Sequence, residues 1–461
     1  MTTTNKTVAA ISTPPGKGGV AVIRISGDDA VKIASKVFIP KSRCEVKELS
    51  SRYAVYGEIV SDGNIVDDGI LTLFRSPASF TGEDTAEICC HGGMLISAKV
   101  LQVCLEAGAV AAGPGEFTRR AYLNGKLSLS KTEAIANLLD AKTQAQLSLA
   151  RNTASGRLSR EIQRIYEQMR NIAASVYALV DYPEEDLAEM SCDEMKEKLL
   201  SVKDSIKALD LGYDSAKVIN EGIETVICGA PNTGKSSLYN ALAGKELAIV
   251  TDIEGTTRDT LCSEVALGDV LLRISDTAGI RESSDTVEKI GIERSLSALE
   301  EAKLVLCVFD GSRELNKEDT KLLQRLKGET EKCVIALINK CECDIVCDTS
   351  YIQSCIEHTL FVSAKSGEGL DRLRDTVHAL FISDKIDISN DAIISNARQH
   401  SCAVSALAAV NDAYNALASG MPPDMAACDI ERAMSQLYEI DGQSVSEDIT
   451  NEIFSKFCVG K

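Results

Sequence analysis

Gly229-Ala230-Pro231-Asn232-Thr233-Gly234-Lys235-Ser236 sets two glycines, a lysine and a hydroxyl at the spacing G-x-x-x-x-G-K-[ST]. The apolar run Glu224-Thr225-Val226-Ile227-Cys228 before it reads as a strand, and Ser237-Leu238-Tyr239-Asn240-Ala241-Leu242 after it reads as a helix. In that context backbone N–H groups and the helix N-terminus cradle phosphates, Lys235 meets the β/γ oxygens, and Ser236 holds magnesium. Asp276-Thr277-Ala278-Gly279 follows a further strand, where the aspartate reaches the metal through water and the glycine contacts the γ-phosphate. Asn339-Lys340 ends a later strand and Ser363-Ala364-Lys365 lies in a later loop; together these are guanine-reading elements. The first string alone can match by chance; four elements in this order predict a GTPase, with GTP and not ATP as nucleotide. One position departs from the pattern. The N-K-x-D element runs Asn339-Lys340-Cys341-Glu342, so Glu342 is the expected acceptor for the guanine edge, with Asp344 as the alternative.

A Ras-like enzyme places a glutamine directly after D-x-x-G to orient the attacking water; here Ile280 stands there, so hydrolysis needs another device. The segment Val250-Thr251-Asp252-Ile253-Glu254-Gly255-Thr256-Thr257-Arg258-Asp259, with Pro231-Asn232, resembles translation-factor-related GTPases such as Era, Der and MnmE. The resemblance to the MnmE family implies that this segment, together with Thr233, Gly234 and Ser237, contacts the nucleotide. It also implies a potassium ion held by Asn232, the carbonyls of Thr251 and Ile253, and Thr256, where an arginine finger would otherwise act. Thr257 would complete the magnesium site, and Glu288 matches the family's water-orienting glutamate. Taken alone, Glu288 reads as a solvated charge.

These residues need a scaffold, and 461 residues allow roughly three domains. Residues 1 to 122 alternate short apolar runs and turns: Val20-Ala21-Val22-Ile23-Arg24-Ile25 and Gly69-Ile70-Leu71-Thr72-Leu73-Phe74 read as strands, Asp62-Gly63-Asn64 as a turn, and Ile96 to Leu105 as a helix. That predicts an α+β domain. From about residue 123 to 219 the pattern is helical, with a capping box expected at Ser130-Lys131-Thr132-Glu133. Residues 220 to 384 alternate strands and helices, several strands being continuous apolar runs that fit a buried parallel sheet. Residues 385 to 461 are helical again, with a break at Gly420-Met421-Pro422-Pro423. The expected fold is an α/β P-loop GTPase domain inserted into an all-α helical domain and preceded by an α+β N-terminal domain.

Composition sets limits. No apolar run approaches the roughly 20 residues that span a bilayer, and the start lacks the build of a secretory signal, so the expected compartment is the cytoplasm. The 16 cysteines are then expected as reduced thiols, and the spacing of Cys341, Cys343 and Cys347 fits no zinc finger or ribbon. A net charge of -19 argues against a surface that grips nucleic acid everywhere, because phosphate affinity comes from Lys and Arg.

The flanks carry the longest strings. Thr13-Pro14-Pro15-Gly16-Lys17-Gly18-Gly19-Val20, Ser79-Phe80-Thr81-Gly82-Glu83-Asp84, His91-Gly92-Gly93, Gly113-Pro114-Gly115-Glu116-Phe117-Thr118 and the terminal Phe457-Cys458-Val459-Gly460-Lys461 resemble the MnmE (TrmE) family over essentially the whole chain. That resemblance implies a folate-binding and dimerisation function for the N-terminal domain. A one-carbon tetrahydrofolate (5-formyl or 5,10-methylene) would be bound by Arg24, Glu87, Lys126 and Lys461. It further implies a homodimer that acts with the FAD-carrying partner MnmG, as a heterotetramer, to alkylate C5 of the wobble uridine of certain tRNAs, the tRNA lying mainly on the partner. The family's near-terminal thiol falls on Cys458, either in the modification chemistry or as a structural cysteine. Arg24 and Lys126 taken alone are ordinary surface charges. Two other readings stay open: a ribosome-assembly GTPase of the Era/Der type, which would leave both flanks unexplained, and a purely regulatory GTPase.

Overall fold

Strand β2 (Val20–Ser26), which follows β1 (Val8–Ile11), shows how side chains are sorted. Its alternation sends Ala21, Ile23 and Ile25 into a core with Ile88 and Leu71, and leaves Arg24 on the other face. Helix α1 (Ala30–Val37), β3 (Phe38–Pro40), β4 (Ala54–Ser61), β5 (Asn64–Phe74), β6 (Thr85–His91), α2 (Met94–Glu106), β7 (Val110–Ala111) and α3 (Glu116–Leu123) follow. The sheet runs β3-β4-β5-β6-β2-β1-β7, antiparallel except where β7 joins β1. Val31, Ile33 and Val37 of α1 and Val100, Val103 and Cys104 of α2 cover one face. Asp62 and Gly63 join β4 to β5 at φ 49 and 81, as a two-residue hairpin of type I′ requires.

The computed structural model describes residues 6–42, 44–181, 190–245, 262–275, 301–329, 332–383, 386–442, 450, 453–455 and 457–461. The chain forms two units, Met1–Ala136 with Tyr438–Lys461, and Asn137–Leu437. In the first, the chain end returns to the start. Pro114 bridges Val459, Phe117 N–H donates to the Lys461 carbonyl at 3.1 Å, and the Ser12 hydroxyl donates to the Gly460 carbonyl at 2.8 Å. Gly460 has φ +98, and a Cβ there would lie 2.0 Å from the Ile11 carbonyl oxygen, so only glycine fits.

The helical part comprises α4 (Leu129–Asp140), α5 (Gln144–Ala154), α6 (Arg157–Asp181), α7 (Cys192–Asp210) and α8 (Tyr213–Glu221) before the inserted sheet. Capping boxes start α5 at Thr143/Gln146 and α7 at Ser191/Glu194. The box expected at Ser130 is not formed. The helix begins two residues earlier, at Leu129, Ser128 Oγ accepts from Lys131 N–H, and the Ser130 hydroxyl is buried and donates to the Ile440 carbonyl.

The inserted part runs β8 (Ile223–Cys228), α9 (Lys235–Lys245), β9 (Cys262–Leu267), β10 (Val270–Ser275), β11 (Leu304–Asp310), α10 (Lys317–Leu326), β12 (Cys333–Asn339), α11 (Thr349–Cys355), β13 (His358–Phe361) and α12 (Leu370–Phe381). Its sheet order is β13-β12-β11-β8-β10-β9, parallel except for the β9–β10 hairpin. Both faces are covered, which explains the continuous apolar runs. Leu304, Leu306 and Val308 of β11 enter one core, while Val305, Cys307 and Phe309 enter the other. The first of these cores continues into Leu149, Ala216, Ile219 and Ile393 of the flanking segments. Helices α13 (Ala397–Ala418) and α14 (Pro423–Asp441) complete the chain's helical part, and α13 packs against α7. No helix among the described residues is long and apolar enough to cross a membrane.

Candidate functional site

Strand β8 ends at Cys228 and helix α9 begins at Lys235, so the glycine-rich loop spans only the residues between them. The loop backbone has little freedom. Gly229 has φ +147 and a Cβ there would meet the Val308 carbonyl at 2.3 Å; Gly234 has φ +95 and a Cβ would meet Asn339 Nδ2 at 2.2 Å. Glycine at both positions lets the loop lie directly on its neighbours. Thr233 is fully buried, and its hydroxyl donates to the Ala230 carbonyl at 2.9 Å. Lys235 Nζ donates to the carbonyls of Gly229 at 3.0 Å and Ala230 at 2.9 Å, and burial pushes its ammonium pKa down. Ser236 and Ser237 occupy the first turn of α9, where a metal-bound phosphate would meet the helix N-terminus.

Asn339 joins this loop to the base-reading end. Its Nδ2 donates to the Thr233 carbonyl at 2.8 Å, and its Oδ1 accepts from Ala364 N–H at 2.9 Å. One buried amide thus fixes the phosphate loop against Ser363-Ala364-Lys365. Lys340, at φ +66, lies with Nζ 3.4 Å from the Asn232 carbonyl, and Asn232 is itself left-handed at φ +62. A hydrogen bond from Ser363 lowers the pKa of the exposed Glu342 carboxyl, with smaller contributions from Lys365 and Lys340. The elements named from sequence around 229–237, 339–342 and 363–365 therefore converge. Sequence reading missed Asp310, a buried carboxylate at the end of β11 bonded to Lys340 Nζ at 2.5 Å. Its signal was an aspartate ending a wholly apolar strand, Leu304-Val305-Leu306-Cys307-Val308-Phe309-Asp310.

Thr251, Asp252, Ile253, Glu254, Gly255, Thr256, Thr257, Asp276, Thr277, Ala278, Gly279 and Glu288 lie outside the described residues. Among the expected potassium and magnesium ligands, Asn232 and Ser236 are described, one in the loop and one on the first turn of α9.

In the first unit, Arg24 of β2 faces Glu87 of β6 across the ladder, with Nε 2.8 Å from Oε1. The guanidinium also lies 5.7 Å from the Phe80 ring and 5.5 Å from the Phe117 ring. Both partners remain partly open, at 22% and 28% side-chain exposure, and Phe80 is exposed while Phe117 is fully buried, so a planar ligand with a carboxylate and a guanidine-like edge has an arginine, a glutamate and the Phe80 ring to meet. Lys126 Nζ donates to the Pro77 carbonyl at 3.0 Å, and Asn124 Nδ2 donates to the Thr81 carbonyl at 2.7 Å, so both attach to the 77–84 loop that carries Phe80. Lys461 is held by its carbonyl on Phe117 N–H, and Cys458 is exposed with its carbonyl accepting from Gly115 N–H at 3.3 Å. Beside them Arg120, 9% exposed in its side chain, bonds Glu83 at 3.0 Å and Glu116 at 3.0 Å and braces α3 against the same loop.

A doubly covered parallel sheet with this glycine loop at the end of β8, set between two helical segments and preceded by an α+β domain, defines a P-loop GTPase inserted into a helical domain. Comparison with known proteins narrows the class: the MnmE helical domain family matches residues 129–458, and the GTP-binding protein TrmE N-terminus family matches residues 7–126. The chain is 39% identical over 459 residues to the tRNA modification GTPase MnmE of Acetivibrio thermocellus, covering 99% of each. It is 38% identical over 457 residues to that of Clostridioides difficile, again 99% of each, and 40% identical over 460 residues to that of Bacillus velezensis, 99% of this chain and 100% of that one. The chain belongs to the MnmE family of tRNA modification GTPases.

Proposed function

We propose that this GTPase acts at the wobble uridine of certain tRNAs, adding an aminomethyl or carboxymethylaminomethyl group at C5 with a tetrahydrofolate-borne carbon and an FAD-carrying partner, MnmG. In this reading residues 1–122 bind folate and form a homodimer, 123–219 and 385–461 make the helical domain, and 220–384 bind and hydrolyse GTP. Asn232 to Ser237, Asn339, Lys340, Glu342 and Ser363 to Lys365 hold the nucleotide, with the 251–257 and 276–279 segments. Ser236 and Thr257 would hold magnesium, which neutralises charge on the transferred phosphoryl group. Asn232, Thr251, Ile253 and Thr256 would hold potassium, and Glu288 would orient water. Arg24, Glu87, Lys126 and Lys461 would bind folate, and Cys458 would serve the modification chemistry. Work in the cytoplasm on a polyanion by a chain of net charge -19 is consistent with a partner that carries most of the tRNA contacts.

The observation that carries the reading is the Arg24–Glu87 pair set against Phe80 and Phe117 in a chain whose other unit carries the phosphate loop. In a switch GTPase without folate chemistry the same pair would be an ordinary surface ion pair. Calorimetric titration of the full chain with 5-formyltetrahydrofolate tests this directly. Saturable binding is expected, weakened at least tenfold in Arg24→Ala, the scale of a lost charge-assisted hydrogen bond at about 1.5–3 kcal/mol. Absence of binding by the wild-type chain would leave a GTPase without folate chemistry.

A further inference from the structure

The base end of the nucleotide site contains a carboxylate that none of the GTPase motifs includes. Asp310 ends β11 with its side chain 7% exposed. Its Oδ1 accepts from the Ser312 N–H at 3.0 Å and from the Ser312 hydroxyl at 2.6 Å, while Oδ2 accepts from Lys340 Nζ at 2.5 Å. Arg313 stands off at 4.0 Å and is engaged with Asp319 at 2.8 Å, so Lys340 is the close cation. A buried carboxylate persists only where donors and an opposite charge replace its water. Burial pushes the Asp310 carboxyl up, but the Lys340 and Ser312 bonds outweigh it and hold the pKa below the usual value, so the group is charged at neutral pH.

The position of Lys340 gives this pair a consequence. Lys340 follows the last residue of β12 at φ +66, a conformation uncommon for a residue with a side chain, and its ammonium reaches back to the Asn232 carbonyl of the phosphate loop. Asp310, Lys340 and Asn232 thus form a line from the end of β11 through the base-reading element to the loop. A lysine left free would lose rotamer freedom each time nucleotide bound; one already tethered loses less. We infer that Asp310 is a positioning residue for guanine nucleotide binding, holding Lys340 between β12 and the phosphate loop in the geometry the nucleotide uses. The inference rests on the reading of Lys340 as part of the nucleotide site.

A double-mutant cycle on the full chain, read as the dissociation constant for GDP at fixed magnesium, separates the possibilities. Lys340→Ala is expected to weaken GDP. Asp310→Asn keeps an oxygen for Ser312 but loses the charge, and is expected to weaken GDP by about tenfold, the scale of one charge-assisted hydrogen bond. The double variant should bind no more weakly than Lys340→Ala alone. An Asp310 effect that persists undiminished in the Lys340→Ala background would mean that the carboxylate acts on the fold, and would overturn the inference. So would an Asp310→Asn chain with wild-type affinity while Lys340→Ala is weakened. Unchanged affinity in Lys340→Ala would instead remove Lys340 from the nucleotide site, and the inference with it. If Asp310→Asn does not fold, Asp310→Glu, which keeps the charge but displaces it, takes its place in the same cycle.

Discussion

A single methylene group distinguishes Glu342 from the aspartate that usually reads guanine. The carboxylate is already engaged by Ser363, which lowers its pKa, so it is ionised and drawn toward the loop that Asn339 ties to the phosphate end. Guanine N1 and its exocyclic amine are two donors that adenine does not offer in this arrangement, so the carboxylate still selects the base; the longer side chain has more freedom to lose in doing so. Glu342→Asp is therefore expected to tighten GTP binding, by about 1–2 kcal/mol, one improved charged hydrogen bond. Glu342→Ala is expected to lose most of the preference for GTP over ATP. Affinities for GTP, XTP and ATP across these variants and Asp344→Ala decide the matter: a large loss confined to Asp344→Ala would reassign the reader. This departure was visible in sequence because the motif surrounding it is intact. The Asp310–Lys340 pair was not, since the two residues are 30 apart in sequence and only the parallel register of β11 with β12, Asp310 beside Asn339, brings them together.

Elements were legible where a local pattern dictates them. The strand–helix alternation of 220–384 was legible because several of its strands, such as Leu304–Asp310, are apolar runs, as a sheet buried on both faces allows. The start of α4 was misread because the S-x-x-E pattern at Ser130 is only one candidate cap, and the buried bond from Ser130 to Ile440 depends on a segment 310 residues away. The return of the chain end to β1 and α3 has the same character. Gly460 at φ +98 leaves a local trace, but its reason is the approach of the Ile11 carbonyl. Gly460→Ala should detach this terminal segment, since a Cβ 2.0 Å from that oxygen cannot be accommodated without movement. Hydrogen exchange would report it: the Phe117 amide, bonded to the Lys461 carbonyl, loses protection, while GTP affinity of the other unit stays at the wild-type value. Retained protection at Phe117 would show that the segment tolerates the side chain.

At the scale of the molecule, the fold class followed from the order of patterns: strand-rich start, helical stretch, strand–helix alternation, helical end. A phosphate loop alone places a chain among many nucleotide hydrolases, and fold does not by itself decide what hydrolysis is used for. The flanks supply that restriction. They carry the Arg24–Glu87 face in one unit and the helices that embrace the sheet in the other, and the match to MnmE relatives runs through 99% of the chain. The central claim is that GTP turnover at this phosphate loop serves modification of tRNA at the wobble uridine. Mass spectrometry of tRNA nucleosides from a strain lacking the gene, carrying either this chain or its Lys235→Ala variant, tests that most directly. The wild-type chain is expected to restore the C5-modified wobble uridine, and Lys235→Ala, which loses the ammonium bonded to the loop carbonyls, is expected not to. Unmodified wobble uridine in both strains, or full restoration by Lys235→Ala, would contradict the claim.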